Sequence, residues 1–190
     1  MSMNTISTNL IAIGGYAASG KTTLASLLKD YLPNSIVIHT DDFYHPTHKR
    51  TYGDFEAVNY DLPRLLEQVI LPFVEKRPIR YQRYDWVEDK LAEWIEITQC
   101  ETLILEGVRA LDVSIRPYID YAIWVEAPYE LRLKRGMERD GEHMRSLWVN
   151  EWMPSEEYYV ASQHPEKYAH VCISGEAPFI LEEILWQKEL

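Results

Sequence analysis

The feature that most limits how this chain can fold is Gly15-Tyr16-Ala17-Ala18-Ser19-Gly20-Lys21-Thr22, set between an apolar run, Leu10-Ile11-Ala12-Ile13, and a segment from Lys21 to Tyr31. The run reads as a fully buried strand, and the spacing of Leu24, Leu27 and Leu28 reads as a helix packed against it. Glycines at this separation, followed by Lys-Thr, let backbone N–H groups turn inward around phosphate, with the positive end of the helix behind them. Lys21 would neutralise the β- and γ-phosphates, and the Thr22 hydroxyl would ligate Mg²⁺. The expected cradle is Gly15, Ala17, Ala18, Ser19, Gly20, Lys21, Thr22 and Thr23; the expected cofactors are ATP and Mg²⁺.

Strand and helix signals continue to alternate. Ile36–Ile38, Thr102–Leu105, Tyr121–Val125 and Val171–Ile173 read as further strands. Helices are expected from Asp61 with Pro63, from Pro128 to about Arg139, from Ser155 to Tyr168 behind a Ser-x-Glu-Glu cap, and from Pro178 to Leu190. His45 to Tyr60 is polar and irregular, Arg80 to Trp86 mixes basic and aromatic residues without a clean period, and the chain is polar from the Asp140-Gly141 break to Pro154. This order predicts one α/β domain over residues 1–190, with a parallel sheet of about five strands, helices on both faces and a small lid at about 135–154.

Composition removes several classes of function. A chain of 190 residues suits a single domain burying roughly 70% of its unfolded surface. A formal charge of −11 does not supply the basic surface that duplex binding needs, so no nucleic-acid partner is expected. No run approaches the ~18 residues of a membrane span, and Met1 to Asn9 lack the basic start and apolar run of a signal peptide. Cys100 and Cys172 sit in apolar strand-like runs and are expected to be reduced core thiols. A cytoplasmic location without membrane attachment follows, and the six histidines show no metal-ligand spacing.

Two strands end in acids. Asp41 and Asp42 follow the second strand, where an open α/β sheet places its ligands, and one of them can orient an acceptor hydroxyl and take its proton. Glu106 closes Leu103–Leu105, a position suited to holding Mg²⁺. Arg132, Arg135 and Arg139, three and four residues apart, share a helical face and could aim a row of guanidinium groups at phosphate. Asp140-Gly141 beyond them reads as a hinge. Tyr44, Tyr60, Tyr81, Tyr84 and Trp86 could stack on a flat base or serve as half-buried packing.

Taken in order, these segments resemble the uridine kinase and nicotinamide riboside kinase branch of the P-loop kinases, which includes phosphoribulokinase and pantothenate kinase. Gly14 to Thr23 looks like that family's phosphate loop, and Asp41-Asp42-Phe43-Tyr44 like its Asp-x-Phe-Tyr segment. The resemblance implies a P-loop NTPase fold and transfer of the γ-phosphate of ATP to a nucleoside or similar small alcohol. It makes Asp41 the base, with Lys21, Arg135 and Arg139 balancing phosphate charge and Thr22 and Glu106 at the metal. Asn59-Tyr60-Asp61 with Pro63 implies that Asp61 holds ribose hydroxyls, and Arg83-Tyr84-Asp85-Trp86 puts Tyr84, with Tyr44, at the acceptor. The chain departs from uridine kinases at Gly136, where they tend to carry Arg, and after Trp86, where they carry a His. The rival readings are a kinase for pantothenate or a sugar phosphate, and a non-catalytic ATP-binding regulator.

Overall fold

The first strand, β1 (Leu10–Gly15), is buried along its whole length and lies at the centre of a five-stranded parallel sheet. This computed structural model describes residues 10–56 and 58–185. The N-terminal Met1 to Asn9 and the end of the closing helix, residues 186–190, lie outside the described residues. β1 is flanked by β5 (Thr102–Glu106) and β6 (Tyr121–Glu126), with β2 (Ser35–His39) outside β5 and β7 (Val171–Ser174) outside β6.

Burial alternates because successive side chains on a strand point to opposite faces. Leu10, Ala12, Leu103, Leu105, Ala122 and Trp124 enter one core, while Ile11, Ile13, Ile104, Ile123 and Val125 enter the other. The second core is closed by Leu24, Ala25 and Leu28 of α1 (Lys21–Tyr31) and Ile184 of α8 (Leu181–Leu185). The first is closed by a helical run that starts at α2 (Leu62–Leu65), passes through a π turn (Leu66–Ile70) and ends in α3 (Leu71–Val74). Asp61 caps that run by accepting from the Arg64 N–H. The expected parallel α/β sheet with covered faces is what the chain forms.

Three local expectations are corrected. Arg80 to Trp86 is not irregular: β3 (Ile79–Asp85) pairs antiparallel with β4 (Lys90–Ile97) as a separate hairpin, interrupted by a register shift between Gln82 and Tyr84. The sequence assigns no element to the polar stretch after α4 (Tyr129–Asp140). Past Gly141 it is helical through α5 (Arg145–Leu147) and a π turn (Trp148–Trp152) into α6 (Met153–Gln163), which breaks at left-handed His164 before α7 (Pro165–Tyr168). Ser155 therefore caps nothing, because the helix begins well before it. The cysteines are both free, but neither is a core thiol: Cys172 is exposed and Cys100 only half-buried.

Candidate active site

Four of the five parallel strands, β1, β2, β5 and β7, lead at their C-terminal ends into one cleft of about 1340 Å³. At its centre the chain turns from β1 into α1. Gly15 adopts φ 146°, and a Cβ there would lie 2.3 Å from the Val125 carbonyl oxygen, so only glycine lets the loop leave the sheet this closely. No side chain caps α1 and its first turn carries no acid, which leaves its leading N–H groups free to face an anion. Lys21 is 7% exposed, and its ammonium donates to the Tyr16 carbonyl at 2.7 Å. Burial pulls its pKa down, and Glu106 opposes that. Ala17, Ala18, Gly20, Lys21, Thr22 and Thr23 line the cleft, whereas Gly15 and Ser19 shape the loop from behind.

Glu106 accepts from the Thr22 hydroxyl at 3.2 Å and lies 2.5 Å from His39 Nδ1. Burial works to raise the Glu106 carboxyl, but the His39 hydrogen bond and the Lys21 charge outweigh it and hold the group below its ordinary value. His39 in turn is raised, chiefly by that bond to Glu106. These residues fit the expected ligands: the glycine turn and the uncapped start of α1 fit a triphosphate, and the hydroxyl and carboxylate oxygens fit a hard cation.

Asp41 sits in the turn Thr40–Phe43 at the end of β2 and reaches the same cleft. Enclosure by protein raises its carboxyl, Glu106 adds to this, and Lys21 and Arg139 oppose it. The approach of Asp41 to Glu106 depends on Gly107, at φ 145°, where a Cβ would meet Thr40 Oγ1 at 1.8 Å. Asp42 has a different job, since its carboxylate accepts from the Tyr81 hydroxyl at 3.1 Å and its carbonyl from Arg64.

Beyond Asp41 the wall is aromatic. Tyr60 donates to Asp41 at 3.4 Å and meets Tyr44 edge-on at 4.7 Å, while Tyr44 lies against Trp86 at 4.8 Å. Arg50 is packed among Tyr44, Tyr84 and Trp86. Tyr44 lines the cleft, but Asp61 and Tyr84 do not. Asp61 is turned to Arg64 at 3.2 Å, and Tyr84 is buried, accepting from Arg50 and donating to Asp89. Both stand behind the residues that face the cleft.

The expected row of three arginines divides. Arg135 and Arg139 line the cleft, the former donating to the Ala18 and Gly175 carbonyls and the latter paired with Asp140. Arg132 does not face phosphate. It is 4% exposed, stacks on Tyr16 at 4.1 Å and lies 3.5 Å from Glu156. The glycine at 136 has a steric cause, since a Cβ there would stand 2.6 Å from the Trp148 ring. An indole occupies the space that a longer side chain would need.

Sequence reasoning missed four contributors: His39, Arg109, Glu156 and the Gly175–Phe179 segment after β7. Glu156 is 7% exposed and accepts from the Ala17 N–H at 3.0 Å, so α6 touches the glycine loop directly. The one available signal was the glycine after the last strand, the same punctuation that marks the ends of β1 and β5.

This fold and cleft define a P-loop kinase domain. The family model described as the phosphoribulokinase / uridine kinase family matches residues 10–174, and the chain belongs to that family of ATP-dependent small-molecule kinases. It is 32% identical over 148 residues to a uridine kinase of Mycoplasma pneumoniae, covering 73% of this chain and 70% of that one. With a uridine kinase of Borrelia hermsii it shares 28% identity over 142 residues, 69% of this chain and 66% of the relative. Among solved structures, a possible uridine kinase from Bacillus stearothermophilus superposes with a TM-score of 0.71 at 22% identity, over 91% and 92% of the two chains. At that identity the last comparison speaks for the fold alone. Among the described residues no helix is long and apolar enough to cross a membrane.

Proposed function

We propose that this chain transfers the γ-phosphoryl group of ATP to a hydroxyl of a nucleoside-like small alcohol, with Asp41 as general base. The observation that carries the reading is the position of Asp41: it stands between the Lys21, Thr22 and Glu106 group and an aromatic wall of Tyr44, Tyr60 and Trp86, within one continuous cleft. A nucleotide switch needs the first group but has no use for a carboxylate beside an aromatic pocket.

Thr22 and Glu106 would hold Mg²⁺, which would supply neutralisation of phosphate charge. The loop N–H groups and Lys21 orient the phosphates, and Arg135 and Arg139 offset charge developing on the transferred group. Asp41 accepts the proton of the attacking hydroxyl. Tyr44 and Trp86 hold the flat part of the acceptor, and Asp61 and Tyr84 support that wall from behind. Residues 135–154 act as the lid, and the site needs neither nucleic acid nor membrane.

The test is ADP release with ATP and Mg²⁺ against uridine, cytidine, nicotinamide riboside, pantothenate and ribose-based alcohols. One acceptor should stimulate release by the wild type and not by Asp41→Asn. Slow hydrolysis that no acceptor stimulates would replace this reading with a regulatory one.

A further inference from the structure

Arg109 is a buried cation with no function in the scheme above. It lies just past β5, follows Val108 in the cleft wall, and is 5% exposed. Its contacts do not use its donors. Asp112 forms a buried ion pair with the guanidinium at 3.6 Å, too long for a hydrogen bond, and the ring of Tyr159 packs under it at 4.3 Å. The guanidinium makes no hydrogen bond to a described residue. Nor does Asp112 need it, because that carboxylate already accepts from the Ser114 N–H and hydroxyl, at 3.0 and 2.8 Å, and from Gln163 at 3.0 Å. A planar group with five donors in the cleft wall therefore has donors to offer a group bound there.

Its location says what that is. Lys21, Arg135 and Arg139 line the phosphate end, whereas Arg109 lies within electrostatic reach of Tyr60, whose hydroxyl touches Asp41. Asp41, Asp54 and Glu151 line the cleft as well, and this acidic surround disfavours a doubly charged group. We propose that Arg109 recognises the phosphoryl acceptor through a neutral or singly charged oxygen group, an imide or amide carbonyl or a carboxylate, and not through a phosphate monoester. The guanidinium fork suits two such oxygens in one plane. This rests on the kinase reading of the cleft and names the acceptor chemistry within it.

The experiment compares wild type, Arg109→Met, Arg109→Lys and Asp112→Asn in steady-state ADP release. The three arms are uridine for a carbonyl, pantothenate for a carboxylate and ribose 5-phosphate for a phosphate monoester, and thermal melting is recorded for each variant. Arg109→Met should raise KM for the active acceptor at least about tenfold and leave KM for ATP within about twofold. Arg109→Lys should recover part of the loss, and Asp112→Asn should leave the acceptor KM unchanged. An unchanged acceptor KM in Arg109→Met would overturn the assignment, as would equal losses for ATP and acceptor. If Arg109→Met melts early, Asp112→Asn decides: the same acceptor defect there makes Arg109 a packing residue. Preference for ribose 5-phosphate overturns the ligand class alone. A wild type silent in all arms removes the kinase reading and this proposal together, whereas an active wild type with an indifferent Arg109→Met removes only this one.

Discussion

The two ends of the cleft are built by different means. The phosphate end is mostly backbone from one continuous stretch, residues 15–23, in which geometry comes from glycine conformations and the start of α1. The acceptor end is side chains from five separate segments: the turn after β2, Tyr60, the β3–β4 hairpin, the turn after β5 and the lid helix. A contiguous backbone device tolerates little variation and leaves a readable pattern. An assembled wall can exchange its members one at a time, which suits a family that keeps one phosphoryl donor and changes acceptors.

The largest effect should come from the shared centre of the two ends. Lys21→Ala should reduce kcat by about a thousandfold or more, because in the proposed mechanism the buried ammonium supplies the point charge on the phosphates. Single-turnover phosphoryl transfer reads this out. Asp41→Asn follows, with a loss of about a hundredfold to ten-thousandfold in kcat and ATP binding retained in a fluorescence titration. Equal loss of ATP binding would place Asp41 with the phosphate end and break the division.

The same division explains what could be read in the sequence. The strand, loop and α1 were legible, α1 to the residue, because burial of β1 and the 3.6-residue period of α1 coincide with local chemistry. The hairpin was not, since the register shift between Gln82 and Tyr84 breaks the alternation that would have marked β3. In the lid, the π turn at Trp148–Trp152 shifts the period just where the buried face forms, so Trp148 and Met153 gave no helical stripe. Arg109 sits alone among Val108, Ala110 and Leu111, and nothing local tells a wall cation from a surface one. Asp41 was legible by its place after a strand, the resemblance chose it over Asp42, and the Tyr81 contact gives Asp42 a partner of its own.

Glu156 joins the lid to the phosphate end and should bring a pH dependence. Burial pushes its carboxyl from 4.5 to about 7, against the Ala17 N–H bond and the charges of Lys21 and Arg132. Between those values the folded chain holds a proton that the unfolded chain has released. The associated stability is therefore full below about 4.5 and lost as pH rises through about 7. Glu156→Gln stays neutral and keeps an oxygen for Ala17, so its stability relative to wild type should grow over that window by up to roughly 1.4 kcal/mol per pH unit and then level off. Urea denaturation at a series of pH values measures the difference, and parallel curves for the two proteins would mean that the carboxylate is charged throughout.

The smallest effect should be the most discriminating, because it sets the two ends directly against each other. Trp86 is 44% exposed and leans on Tyr44, so its ring holds position without belonging to the core. Phe179 closes the other end, its ring 3.3 Å from where a Cβ on Gly20 would stand. Trp86→Ala should raise KM for the acceptor about five- to tenfold, the worth of one stacked aromatic face, with KM for ATP unchanged. Phe179→Ala should do the reverse. Crossed effects establish two independent subsites meeting at Asp41. If each variant instead shifts both constants, the ends are coupled through the lid, whose Trp148, Glu151 and Glu156 line the cleft that both share.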